Sequence, residues 1–184
     1  MSPLGRVRWA IREERAGDER AIHEVNAAAF ADHPHSEGTE PFIVDALRAD
    51  GDLMLSLVAE DDPEDGGGAI IGHAAFSAAI LSNGETGWAT LGPIAVLPGR
   101  QGEGVGRALI DTATRLLRER GARGIVLLGD PALYARLGFT RETPLHVEGP
   151  LADYFHAMAF TDAIPRAAVT FAPAFRLARV RDRG

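Results

Sequence analysis

Apolar positions along the chain recur with two different periods. Val7, Trp9 and Ile11 alternate with Arg8, Ala10 and Arg12, which predicts a half-exposed strand over 6–14. Ala16, Gly17 and Asp18 supply a turn and a helix N-cap, and Ile22, Val25 and Ala29 then share one helical face. A second helix fits 39–49, capped by Thr39, with Phe42, Ile43, Ala46 and Leu47 facing inward. Asp50, Gly51 and Asp52 stop it. Residues 53–60 and 69–81 read as strands, and the acidic, glycine-rich stretch 61–68 between them reads as a mobile hairpin loop. A turn at Ser82, Asn83 and Gly84 leads into a strand at 87–97.

The 3.6-residue period is cleanest from 104 to 120, where Val105, Ala108, Leu109, Thr112, Ala113, Leu116 and Leu117 form one stripe. Arg115, Arg118 and Arg120 sit late, where the helix dipole favours cations, and Gly121 ends the helix. Ile125, Val126, Leu127 and Leu128 are an unbroken apolar run, as expected of a strand covered on both faces. A short helix follows over 131–137, Gly138 and Phe139 return the chain to a strand, and 152–161 makes a last strand. The Pro-, Ala- and Phe-rich remainder receives no element. The order β-α-α-β-β-β-α-β-α-β, with one or two strands more, predicts an α/β fold with helices on both faces of a mixed sheet. With no internal repeat and no linker, the 184 residues read as one domain, with a core at about 6–161 and a C-terminal extension over 162–184.

Composition narrows the chemistry. The chain is 46% hydrophobic and 24% charged, ordinary for a soluble domain. Having no cysteine, it has no disulfide, thiolate metal site or cysteine nucleophile. A net charge of −7 argues against nucleic acid as a partner, and the arginines at 176, 179, 181 and 183 read as a solvated tail. No apolar run approaches the roughly 18 residues of a membrane span, so no membrane partner is expected. The charged N-terminal region does not read as a signal peptide, and a cytoplasmic protein is expected.

The most specific signal is Pro98-Gly99-Arg100-Gln101-Gly102-Glu103-Gly104-Val105-Gly106-Arg107, directly after the apolar run at 91–97. A strand enters a glycine-rich turn that opens a helix, so backbone N–H groups and the positive end of a helix dipole converge on one spot suited to an anion. A dinucleotide fingerprint fails, because its third glycine would fall on Arg107 or Leu109. A P-loop fails for want of Gly-Lys followed by Ser or Thr. What remains is Q-x-x-G-x-G. Arg100 and Arg107 flank it and add positive charge, while Glu103 opposes them unless it points to solvent.

Residues 91–109 resemble motif A of the GCN5-related N-acetyltransferases, a strand followed by Q/R-x-x-G-x-G/A and a helix. Gly129-Asp130-Pro131-Ala132-Leu133-Tyr134-Ala135-Arg136-Leu137-Gly138-Phe139 resembles motif B, where a tyrosine-bearing helix precedes Gly-Phe. With the ending Val169-Thr170-Phe171-Ala172-Pro173-Ala174-Phe175, the chain is similar over about 6–175 to the YhbS-type subgroup of predicted acetyltransferases.

This resemblance implies a central, mostly antiparallel sheet and acetyl-CoA as cosubstrate. It implies that Gln101, Gly102, Glu103, Gly104, Val105, Gly106 and Arg107 hold the diphosphate. The edge at Ile94, Ala95 and Val96 then pairs with the pantetheine arm, because the strand carrying it diverges from the next. Tyr134 is implied as general acid and coenzyme contact. A phenol of pKa about 10 stays protonated at neutral pH and can protonate a thiolate. For the base, the loop Asp32-His33-Pro34-His35-Ser36-Glu37-Gly38-Thr39-Glu40 offers Glu37 and Glu40, with His33 behind them. Asp130 is a further candidate that can instead cap the helix after Pro131. The pair His33 and His35 lacks further matched ligands, so no metal is expected. His73, His146 and His156 read as structural. The acceptor is expected to be a small-molecule or peptide amine, with a homodimer possible in this family. The alternative is a non-catalytic acyl-CoA-binding or regulatory module on the same fold. A ligand-free protein-interaction domain is a third reading.

Overall fold

The computed structural model describes residues 9–34, 36–62 and 68–177. His35, residues 6–8 of the first expected strand, most of the loop at 61–68, and Arg179, Arg181 and Arg183 lie outside these residues. Six strands form the main sheet: β1 (Trp9–Glu13), β2 (Leu53–Asp61), β3 (Ile70–Ala78), β5 (Trp88–Val96), β6 (Gly124–Leu128) and β8 (Phe155–Ala159), in the order β1-β2-β3-β5-β6-β8. Only β5 and β6 run parallel, so the sheet is mixed and mostly antiparallel. A second sheet of three short strands sets β9 (Ala167–Thr170) between β4 (Ile80–Leu81) and β7 (Leu145–His146).

Among the described residues, four helices complete the architecture: α1 (Glu19–Phe30), α2 (Glu40–Ala49), α3 (Val105–Glu119) and α4 (Pro131–Ala135). Val105, Leu109, Ala113 and Leu117 of the stripe read from the sequence, joined by Ile110, which the stripe omitted, pack against Leu57, Phe76, Leu91, Ile125 and Leu127 on one sheet face, while Ala108, Thr112 and Leu116 are half-buried. The opposite face receives Ile22 and Val25 of α1 and Ile43, Val44 and Leu47 of α2 against Val58, Ala75 and Ala95. A third cluster joins Trp88, Val126, Phe155 and Ala157 to Leu81, Leu145 and Val169 of the small sheet. Among the described residues, no helix is long and apolar enough to cross a membrane.

A polar chain also pins α1 and α2 to the sheet. Asn26 donates to the Ile22 carbonyl at 2.9 Å and to His73 Nδ1 at 3.1 Å. That leaves His73 Nε2–H to donate to Ser56 Oγ at 2.9 Å. Ser56 donates in turn to Glu14, which also accepts from Arg48 Nε at 2.8 Å. One residue each from α1, β3, β2, the end of β1 and α2 is thereby linked. Burial and the Arg48 charge hold the His73 pKa down to about 3, so the ring stays neutral and the chain keeps its polarity.

Several expectations are corrected. The single strand at 69–81 is two, because Ala79 turns its N–H to Trp88 and Ile80 and Leu81 pair in the small sheet. Phe42 faces outward, 56% exposed, with its ring edge-on to His23. Thr39 occupies the cap position of α2 without a side-chain capping bond, and so does Asp18 at α1. Asp18 is turned to Arg12 and the Arg15 N–H instead. The helix at 131–137 stops at Ala135, and the return after Phe139 amounts to one bridge between Thr140 and Ala157. Residues 152–154 form a 3₁₀ turn, so the last main-sheet strand begins at Phe155. The small sheet was missed because strands of two and four residues carry too little periodicity to read.

Candidate functional site

The site is built where β5 leaves β6. The two strands pair only at Trp88↔Gly124, Ala89↔Ile125 and Thr90↔Val126. Just beyond, Gly92 and Pro93 on β5 lie opposite the single residue Ala75 of β3, a bulge that bends β5. Leu97 N–H donates to the Ile71 carbonyl at 2.9 Å, and the register continues through Ala95↔His73. Backbone groups alternate along an antiparallel ladder, so Ala95 and Leu97 bond to β3, while Ile94 and Val96 turn their N–H and C=O the other way. Those groups line an open wedge with no strand beside them among the described residues. An extended chain can add there as a strand does.

At the top of the wedge the chain makes a 3₁₀ turn at Pro98–Arg100 and enters α3. Gly104 caps α3 at φ 86°, a left-handed conformation that costs a side-chain-bearing residue roughly 1–2 kcal/mol. The first helical bond runs from Ala108 N–H to the Gly104 carbonyl at 3.0 Å. The N–H groups of Val105, Gly106 and Arg107 therefore precede the ladder, and no side chain caps them. Gln101 Nε2 donates to the Val96 carbonyl at 3.2 Å, tying the loop to the free edge. These unclaimed donors suit a diphosphate.

The flanking charges behave differently from the expectation. Arg100 is not a free cation: Nη1 donates to Asp61 at 2.6 Å, and Nε contacts both Glu103 oxygens at 3.1 Å. Glu103, 44% exposed, is thereby paired with Arg100. Arg107 lies 3.6 Å from Asp111 with both side chains exposed, a pairing water screens almost completely.

Tyr134 stands on α4 over the end of β6. Its ring is buried, edge-on to Phe139 at 5.8 Å and 6.0 Å from the His156 ring. Room for it comes from Gly129, where a Cβ would lie 2.1 Å from Tyr134 Cε2. The hydroxyl bonds to no described residue, nor is it among the fully buried unpartnered atoms, so it keeps access to solvent. Burial, and secondarily the Asp130 charge, push its pKa above the usual phenol value. Asp130 Oδ1 accepts from the Leu133 N–H at 2.8 Å and so caps α4, the structural role open to it from the sequence.

The candidate bases are less converged. In the α1–α2 loop, Ser36 Oγ donates to Glu40 Oε2 at 2.7 Å and accepts from the Gly38 N–H at 3.0 Å. Glu37 is exposed, and the His33 ring meets Phe30 at 5.7 Å. Phe175 covers Gly92, where a Cβ would lie 3.3 Å from its ring. The positional roles of Asp61, Gly129 and Phe175 were missed from sequence. Of the three, only Gly129 left a signal, as the small residue before Asp-Pro. Among the described residues, no three His, Cys, Asp or Glu side chains are grouped to hold a metal.

The Acetyltransferase (GNAT) family model matches residues 19–139. The chain is 41% identical over 100 residues to the "Uncharacterized N-acetyltransferase YhbS" of Escherichia coli K12, a match covering 54% of this chain and 58% of that one. It is 36% identical over 135 residues to the mycothiol acetyltransferase of Amycolatopsis mediterranei, covering 67% of this chain and 43% of that protein. The chain thus spans less than two thirds of the length of these curated relatives. A GNAT acetyltransferase from Brucella melitensis, solved with acetyl-CoA, superposes with a TM-score of 0.78 at 44% identity, over 91% of this chain and 97% of its own. The YhbS structure from E. coli with CoA gives 0.82 at 30% identity, over 92% of each chain. Family model, sequence and structure agree: this chain belongs to the GNAT family of acetyltransferases.

Proposed function

We propose that the protein transfers an acetyl group from acetyl-CoA to a primary amine by direct attack. The observation that carries this reading is the free edge of β5 at Ile94 and Val96, ending in a loop of unclaimed amides. Acetyl-CoA would bring a thioester and a diphosphate to these two features. Residues 101–107 would hold the diphosphate, and the edge at 94–96 would align the arm and offer an N–H to the thioester carbonyl. Two relatives solved with acetyl-CoA or CoA support the choice of ligand.

Tyr134 is assigned the proton that the leaving thiolate takes up. Its raised pKa keeps the phenol protonated at neutral pH. Glu37, on the α1–α2 loop, and Glu40, the first residue of α2, are proposed to take the amine proton, directly or through water. Asp130, capping through one oxygen, keeps the other for the same task.

Calorimetry with acetyl-CoA, followed by a thiol-release assay over a panel of amines, tests the reading. Micromolar binding with amine-dependent thiol release is expected. Binding without release would make the protein a coenzyme-binding module, and absence of binding would remove both.

A further inference from the structure

Tyr134 has little of its own to hold it in place. It stands on α4, a helix of five residues, and no described residue bonds to its hydroxyl, so packing orients the ring. Gly129, where a Cβ would collide with the phenol, Phe139, edge-on to it, and His156 supply the walls. The imidazole centre lies 6.0 Å from that of the phenol, with the two planes inclined at 45°. His156 is the register partner of Leu127 across β6 and β8, so both rise from the sheet face that carries α3.

Two of these walls hang from one atom. The Tyr154 carbonyl accepts from the Gly129 N–H at 2.9 Å and from His156 Nδ1 at 2.8 Å. A carbonyl oxygen only accepts and has two lone pairs, so Nδ1 carries the hydrogen and both lone pairs are used. One bond sets the rotation of the imidazole about Cβ–Cγ, and the other fixes the main chain at Gly129. The histidine is 1% exposed, and its Nε2 is buried without a partner. A polar atom left in that state costs stability, and an apolar ring of similar size would avoid the cost. Packing alone therefore does not account for a histidine here. What the imidazole adds over a phenyl ring is the Nδ1–H bond, which fixes its angle against Tyr134.

We infer that His156 is a positioning residue: tied to the Tyr154 carbonyl, it holds the Tyr134 ring at the angle from which the hydroxyl reaches the leaving sulfur. The inference rests on the reading of Tyr134 as general acid. His156 touches neither coenzyme nor acceptor in this role, and its effect on the reaction passes wholly through Tyr134. Misplacing a reacting group by about 1 Å can cost on the order of 100-fold in rate, so a small rotation of the phenol suffices.

The test uses the full chain, acetyl-CoA and the amine that releases thiol fastest in the panel. His156→Phe keeps a ring and removes the hydrogen bond. Its kcat is expected to fall about tenfold, with coenzyme affinity and amine KM within about twofold and Tm unchanged or higher. A residue that only supported the fold would lower kcat and Tm together. In the Tyr134→Phe background, His156→Phe is expected to change kcat less than about twofold, because the group it positions is gone. Should His156→Phe fail to fold, His156→Asn keeps an N–H for the Tyr154 carbonyl and removes the wall, and the same loss and the same silence are expected of it. A readout free of any acceptor comes from ring-labelled tyrosine. Of the chain's two tyrosines, Tyr134 is expected to flip its ring faster by NMR in either variant than in the parent. Unchanged kcat in Tyr134→Phe removes the general acid and this proposal with it. If Tyr134→Phe is slow while both His156 variants match the parent, only the proposal falls. A full further loss on combining the substitutions, or an unchanged flip rate, also overturns it.

Discussion

The two faces of the main sheet hold their helices by different means. On the α3 face the contacts are apolar, and the chemistry lies in the main chain: the free edge of β5 and the amides that open α3. On the α1–α2 face a similar apolar core is crossed by the chain Asn26–His73–Ser56–Glu14–Arg48, and the candidate bases are loop side chains. Main-chain donors are fixed once the fold is fixed, whereas side chains on a loop depend on rotamers and partners. The coenzyme side is therefore the rigid half of the proposed enzyme, and the acceptor side is the adjustable half.

The hardest blow to the coenzyme side is expected from Gly104→Val. A branched residue at φ 86° must either strain or rebuild the turn, and either result misaims the amides. Acetyl-CoA affinity by calorimetry is expected to fall at least a hundredfold, about 3 kcal/mol. Gly106→Ala sharpens the point, since its Cβ would meet Val96 at an ordinary 3.8 Å and the fold should not feel it. Any affinity it loses is then owed to the ligand. Full affinity in both variants would move the anion site elsewhere.

Tyr134→Phe is expected to lower kcat about a hundredfold while leaving coenzyme affinity within twofold, as for loss of a general acid. Gly129→Ala reaches the same ring by crowding: with 2.1 Å available, Tyr134 must move. Overpacking of this kind costs about 1–3 kcal/mol, read as a lower Tm together with reduced kcat. Unchanged kcat in either variant would exclude the tyrosine from the reaction.

Acid separates the two faces. The unfolded imidazole of His73 titrates near 6.5, and the folded one is held down to about 3. Between these values the unfolded state binds the extra proton, so the contribution is whole above 6.5 and is lost as pH falls toward 3. Stability should decline by up to about 1.4 kcal/mol per pH unit in that window. Hydrogen exchange should show α1 loosening before α3, and His73→Gln should flatten the slope. The smallest effect concerns Arg100. Asp61→Asn removes one of its two carboxylate partners and is expected to tighten acetyl-CoA binding two- to fivefold at low salt, an advantage that added salt erases.

Much of this was legible in the chain. The stripe from Val105 to Leu117 located α3, the unbroken run from Ile125 to Leu128 located a strand buried on both faces, and three glycines after a strand located the turn that opens α3. Each signal is local, because periodicity and glycine content act within a few residues of the backbone they shape. Tertiary structure alone decided the rest. It set where β5 parts from β6, since that depends on a bulge against β3. It paired Arg100 with Asp61, 39 positions away. It broke the run at 69–81 between two sheets and turned Phe42 outward. Long-range contacts select among local options with energies that no short window of sequence contains, so the site's backbone could be read early and its side-chain partners could not.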